Sequence, residues 1–146
     1  MTKDEIVLGL PGYQITAIDI EDGKVRIVAR YEGSRACAHC GGTRLRSKGI
    51  YQRRLRHQDL GLRHSMLVVE AHKWRCLECG RQGRQRLPGI LVRQRASEAF
   101  RKAIFQQHLD GINRSRLGRR EGIGAATVER HFRHGLARQF AEKHAP

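Results

Sequence analysis

The alternation of apolar and polar residues is clearest at 24–31, where Val25, Ile27, Ala29 and Tyr31 fall on one face of an extended strand. Residues 14–20 read as a preceding strand. Glu21-Asp22-Gly23 supplies a turn between them, so the pattern predicts a β-hairpin in an N-terminal element spanning residues 1–32. Residues 49–58 predict an arginine-bearing strand, Asp59-Leu60-Gly61 a turn, and 64–75 a longer returning strand. Along this last strand Met66, Val68 and Trp74 take one face while Leu67, Val69 and Ala71 take the other. The stretch 82–95 is basic, contains Pro88-Gly89 and shows no period, which predicts a linker.

Beyond the linker the spacing becomes helical. Ser97 is a candidate N-cap for a helix to about residue 109, with Ala99, Phe100, Ala103 and Ile104 as its apolar stripe and Asp110-Gly111 as its stop. Asn113 is a candidate cap for a shorter helix to residue 121. After Gly122-Ile123-Gly124, a third helix from 125 to about 140 carries Val128, Phe132 and Leu136 at four-residue steps. The expected fold class is α+β, with a small β-rich ribbon at 33–81 followed by a three-helix domain at 96–146.

The ribbon carries the four cysteines of the chain, as Cys37-Ala38-His39-Cys40-Gly41 and Cys76-Leu77-Glu78-Cys79-Gly80. A two-residue gap lets both sulfurs of a pair reach one ion, the trailing glycine relieves crowding where backbone amides turn toward the thiolates, and two pairs complete a tetrahedral site. Cys37, Cys40, Cys76 and Cys79 are therefore expected to hold one Zn2+. Four thiolates leave no open position, so the ion is structural. Redox pairs or unligated thiols are the competing readings, and neither accounts for the shared glycine. His39 is expected to be an exposed spacer.

Charge then narrows the function. The chain has 29 Lys plus Arg against 14 Asp plus Glu, a net +15, and only 6 of those cations are lysine. A guanidinium fork grips phosphate or a guanine edge at two points, so nucleic acid is the leading partner. Residues 1–80 carry 14 cations and 9 acids, whereas 81–146 carry 15 and 5, so the positive field is concentrated in the C-terminal part. There the order Leu117, Gly118, Gly122, Ile123, Val128 has the steric pattern of a helix-turn-helix: a small residue where two helices cross, a glycine at the turn, and apolar residues between. The third helix would then present Ala126, Thr127, Glu129, Arg130, Arg133 and His134 to the major groove, with Arg114, Arg116, Arg119 and Arg120 placed for phosphates. His131 stands where an apolar residue is common. Arg54 and Arg56, on one face of the ribbon strand, are candidates for a secondary phosphate contact.

No nucleophile elbow, phosphate-binding glycine loop or metalloprotease helix is present, and the acids sit in turns or beside arginines, so binding rather than catalysis is expected. Neither a signal peptide nor a membrane span is expected, and the paired cysteines suit a reducing cytoplasm. RNA is a weaker candidate because exposed aromatic platforms are few.

The succession of a C-x-x-C-G knuckle, an arginine-bearing strand, Asp59-Leu60-Gly61, a strand ending Lys73-Trp74-Arg75-Cys76, a second knuckle and a helix-turn-helix resembles one family over about residues 30 to 140. It is similar to the N-terminal region of bacterial insertion-sequence transposases of the ISL-three group, in which a zinc ribbon and helix-turn-helix precede a DDE catalytic domain. The resemblance implies that Cys37, Cys40, Cys76 and Cys79 match the metal ligands and that 125–133 match the recognition helix. It also implies recognition of transposon terminal repeats in duplex DNA, with a second copy of the chain or a full-length transposase as further candidate partners. No counterpart of the catalytic domain is expected within these residues, nor any membrane or small-molecule substrate. A stand-alone transcriptional regulator and a zinc-ribbon protein-interaction adaptor are the alternatives.

Overall fold

The computed structural model describes residues 1–90 and 94–145, which divide into two compact units at Ser97/Glu98. Among the described residues the architecture is mixed α/β, with a five-stranded sheet and four helices. No helix among them is long and apolar enough to cross a membrane.

The first unit opens with a helix absent from the sequence reading, α1 (Lys3–Leu8). Thr2 Oγ1 accepts the Glu5 N–H at 3.2 Å and donates to the Glu5 carboxylate at 3.2 Å, a reciprocal cap, and Gly9 ends the helix in the left-handed region at φ 66°. Strands β1 (Tyr13–Glu21) and β2 (Lys24–Tyr31) follow as the expected hairpin. Asp22 and Gly23 form its two-residue loop with φ of 53° and 75°, the conformation that Asp-Gly tolerates and that matches strand twist.

The second hairpin pairs β3 (Leu45–Leu60) with β4 (Arg63–Cys76). β3 starts at Leu45 rather than at 49, because Gly49, at φ 118°, accommodates a bulge instead of ending the strand. A short β5 (Gln82–Arg84) completes the sheet. The order is β1-β2-β4-β3, and β4 is flanked on its other edge twice over: residues 65–70 pair in parallel with β2, and residues 73–75 pair antiparallel with β5. Buried Gln85 closes the seam. Its N–H donates to the His72 carbonyl at 2.8 Å, its Oε1 accepts the His72 N–H at 3.2 Å, and its Nε2 donates to the Tyr31 carbonyl at 3.4 Å.

The core lies on the face where Ile27, Leu55, Leu67, Val69 and Ala71 converge, covered by Leu8 and Leu10 and by Leu87 and Ile90. Tyr13 joins it, donating its hydroxyl to the Pro88 carbonyl at 2.7 Å, and burial raises its pKa above the usual tyrosine value. Val28, Val68 and Trp74 are buried on the opposite face, so β4 is apolar on both sides as its sequence indicated. Two differences from the sequence reading follow. The hairpin of residues 1–32 shares one sheet and one core with the ribbon. The stretch 82–95 supplies β5, Gln85 and two core residues, with its residues 91–93 lying outside the described residues.

The second unit comprises α2 (Glu98–Leu109), α3 (Arg114–Glu121) and α4 (Ala125–Lys143), with α4 packed on both others. Asn113 caps α3, its Oδ1 accepting the Arg116 N–H at 2.8 Å, and Gly122 ends it at φ 68°. A Cβ on Gly118 would sit 2.7 Å from the Ile123 carbonyl oxygen, so the absence of a side chain there lets the turn fold back on α3. Leu117, Ile104 and Val128 are fully buried around this crossing. On α4 the buried residues are Val128 and His131, while Leu136 is 41% exposed. The expected four-residue stripe holds through Phe132, half-buried with its ring 5.5 Å from that of Phe105, and fails at Leu136: each four-residue step turns about 40° further round the helix, so the second leaves the buried face, on which His131 lies to the other side of Val128.

Gly118→Val should lower the unfolding free energy by about 1–3 kcal/mol, since backbone on the far side cannot yield as a side chain would. Thermal unfolding of the zinc-loaded chain measures it. An unchanged midpoint would show that the turn does not depend on the close approach.

Candidate metal centre and basic helical face

The two knuckles are built alike. In the first, the Gly41 N–H bonds the Cys37 carbonyl at 3.0 Å and the Cys37 N–H bonds the Gly42 carbonyl at 2.8 Å. In the second, Gly80 bonds the Cys76 carbonyl at 2.9 Å and the Cys76 N–H bonds the Arg81 carbonyl at 2.9 Å. Gly41 and Gly80 take φ of 73° and 76°, the backbone reason for the shared trailing glycine. Cys76 is the last residue of β4 and stands opposite Leu45, the first of β3, so the hairpin delivers one knuckle to the other.

The sulfurs converge. Sγ of Cys37 and Cys79 are 3.7 Å apart, those of Cys40 and Cys76 are 3.6 Å apart, and all four lie within 4.8 Å of one another. A tetrahedron of sulfurs around zinc at ~2.3 Å has edges of ~3.8 Å. Amides point at the ligands as well: His39 N–H to Cys37, Gly42 N–H to Cys40, and Glu78 N–H to Cys76, each at 3.4 Å. The Cys40 and His39 amides bias Cys37 toward thiolate and bring its pKa down to about 6. For Cys40 the Gly42 amide acts the same way, but the neighbouring Cys76 thiol and burial outweigh it and push the pKa up to about 12. Four thiols this close cannot all ionise without a cation among them. The residues present therefore fit one structural Zn2+, held by Cys37, Cys40, Cys76 and Cys79. His39 is exposed, its Nδ1 3.3 Å from Arg81 Nη1, and takes no part.

The helical candidates lie on α3 and α4. Arg114, Arg116, Arg119 and Arg120 are exposed along α3, and Ala126, Arg130, Arg133 and His134 are exposed on α4, with Thr127 and Glu129 half-buried. Glu129 is engaged by its neighbours: Arg114 Nη1 reaches it at 3.1 Å and Arg133 Nε at 3.0 Å, and the Arg133 bond is the chief cause holding its carboxyl below the ordinary value. It links α3 to α4 and orients two arginines. Arg130 Nη2 donates to Thr127 Oγ1 at 3.1 Å, and Arg120 lies 3.7 Å from Glu121. On the ribbon, Arg54 pairs with Glu21 at 3.4 Å, and Arg56 Nη2 lies 3.4 Å from Asp59 Oδ1 and 2.8 Å from His64 Nδ1. Both are thus tied into ion pairs within the sheet.

Sequence reasoning missed Arg101, which is buried on α2 between Phe100 and Ile104. Its one signal was its place within the predicted apolar stripe, where a charge requires a reason. His131 is equally buried and stands edge-on to Phe100 at 6.2 Å. Burial, with Arg101, Arg130 and His134 nearby, lowers its pKa from 6.5 to about 4, so it fills the apolar position as a neutral ring.

Chelation, or Cys76→Ser, should remove one zinc per chain and raise amide exchange first at 37–50 and 73–84, ahead of 65–70; uniform protection after metal loss would contradict the assignment. The His131 pKa is depressed on folding, so the unfolded chain takes up the extra proton between pH 6.5 and 4, and stability should fall as pH drops through that window and level off below it. The loss reaches at most about 3 kcal/mol. His131→Phe should flatten this part of a stability–pH profile, and a profile parallel to wild type would contradict it.

Residues 33–79 match the family model described as the zinc-finger of transposase IS204/IS1001/IS1096/IS1165, a stretch that spans both knuckles and the β3–β4 hairpin. No curated protein matches the chain, and no solved structure does. The ribbon is therefore similar to the zinc finger of those transposases, with the four cysteines as its ligand set.

Proposed function

We propose that the chain binds duplex DNA as the recognition part of an insertion-sequence transposase, or of a protein derived from one, and that the sites it reads are transposon terminal repeats. α3 and α4 form a helix-turn-helix in this reading, with α4 entering the major groove and α3 lying along the backbone. The observation that carries it is the Gly118–Gly122 crossing. It buries Leu117 and Val128 and leaves Ala126, Arg130 and Arg133 exposed on a single face of α4, beside the arginines of α3. The transposase zinc-finger match at 33–79 supports the same reading from the other unit.

Roles within the face follow from the contacts. Arg130, held by Thr127, is oriented to fork onto a guanine edge. Arg116 and Arg119 stand at exposed α3 positions with no ion pair among the described residues and suit phosphate oxygens, while Glu129 positions Arg114 and Arg133. Recognition, not strand transfer, is the activity assigned to these residues, and a closed four-thiolate ion has no open position to offer a substrate.

Selection from random duplexes should enrich a defined site. On that site Arg130→Ala is expected to cost about 1–3 kcal/mol while changing nonspecific binding little, and Arg119→Ala to weaken all duplexes alike and shallow the salt slope by about one unit. If about six phosphates are neutralised, log affinity falls with log salt at a slope of roughly −5. No enrichment, or two variants that lose affinity identically, would refute base readout by α4.

A further inference from the structure

The second unit holds a cleft that shares only His134 with the face assigned to DNA. It lies between α2 and the C-terminal half of α4, has a volume of about 290 Å³, and is lined by Arg101, Lys102, Phe105, His131 and Arg138 among others. Arg101 is 9% exposed and His131 7% exposed. Among the described residues, Arg101 Nε and Nη1 and His131 Nδ1 are buried without a hydrogen-bond partner. Buried polar groups are ordinarily satisfied, and a guanidinium with unsatisfied N–H groups is costly to keep inside even with the Glu98 carboxylate nearby. Two such groups lining one opening mark a place where a ligand supplies what the protein does not.

The chemistry of the walls selects the ligand. Arg138 Nη2 is paired with Glu98 at 2.8 Å. Setting histidines aside, the lining has three cations, Arg101, Lys102 and Arg138, and two carboxylates, Glu98 and Glu142, so one positive charge remains to be matched. That balance suits a monoanion better than a phosphate dianion. A carboxylate fits the planar fork of Arg101 side-on, and a neutral imidazole can place its proton on Nδ1 to donate to the same group. His131 is held neutral by its surroundings. Phe105 and Gly135 add an apolar wall. The volume is at the small end for ligand pockets, which run roughly 300–1,000 Å³. A carboxylate with a single ring or a short alkyl body fits within it.

We propose that this α2–α4 cleft is a binding site for a small apolar monocarboxylate, held by Arg101 and His131. The site meets the face of α4 assigned to DNA only at His134 and rests on Arg101 and His131, so it stands whether or not that assignment does.

The test uses the full zinc-loaded chain and calorimetric titration with benzoate, hexanoate, neutral benzamide and inorganic phosphate. At least one of the two carboxylates should bind with one site per chain, and benzamide and phosphate should bind about tenfold or more weakly, because they lack the charge or the shape. Arg101→Met should stay folded, since it replaces a buried, incompletely hydrogen-bonded cation with an apolar chain of similar length, and should weaken carboxylate binding by about tenfold or more. Arg46→Met, a change at an exposed ribbon arginine, controls for attraction to a basic protein and should bind as wild type does. Titration followed by the His131 ring nitrogen signals should shift Nδ1 in wild type. The proposal is overturned if neither carboxylate binds, if phosphate or benzamide binds as tightly, if Arg101→Met retains wild-type affinity, or if Arg46→Met loses affinity to the same extent.

Discussion

The first unit depends on the need of one strand to satisfy both of its edges. β4 is apolar on both faces and its backbone runs through the middle of the sheet, so every N–H and C=O along it must find a partner in the protein. β3 serves one edge from end to end. The other edge is longer than β2, and β5 takes up where β2 stops. This arrangement explains why chain segments far apart in sequence share a core. β2 and β4 run parallel, which demands a long excursion between them, and the first knuckle and β3 are that excursion. The zinc site sits where the excursion begins and β4 ends, so the metal fixes the open end of a hairpin whose other end is closed by a turn.

Sequence periodicity revealed what is local to each segment. The Asp22-Gly23 turn, the two-sided apolar character of β4, the cysteine ligands, the Asn113 cap and the Gly118–Gly122 crossing are all set by residues within a few positions of one another. What periodicity did not reveal is pairing between distant segments. Nothing within 24–31 states that its neighbour is 65–70, and nothing in 82–87 marks it as strand and core, because Gln85 works through a side-chain amide that spacing alone cannot place. α1 was legible but unread: Thr2, Glu5 and Gly9 carry the signals of a cap at each end, in a segment too short for a periodic pattern.

The second unit shows where binary patterning misleads. Two of the residues closing its core, Arg101 and His131, are polar, and each occupies a place where a hydrophobic side chain would conform to the pattern. His131 meets the requirement by staying uncharged. Arg101 stays charged, and the nearby Glu98 carboxylate offsets only part of the cost, because its buried Nε and Nη1 have no hydrogen-bond partner among the described residues. The same helix whose outer face reads as basic and solvated thus has an inner face with polar character of its own.

The position of β3 at the rim of the sheet gives its arginines a meaning apart from nucleic acid. Among the described residues, the first half of β3 pairs with β4 alone, and a strand edge of this kind is a template on which a second chain can add its own strand. At residues 53 and 56 that side is occupied: Arg56 exchanges backbone bonds with Arg95 and Ser97, and Arg53 reaches the Gln94 carbonyl at 2.8 Å. Ahead of that point the rim is guarded by Arg46, Lys48 and the kink at Gly49, where repulsion between like charges and a broken register discourage stacking of molecules. Part of the basic character of the ribbon thus lies along a strand edge, where like charges oppose the approach of a second copy of the same edge.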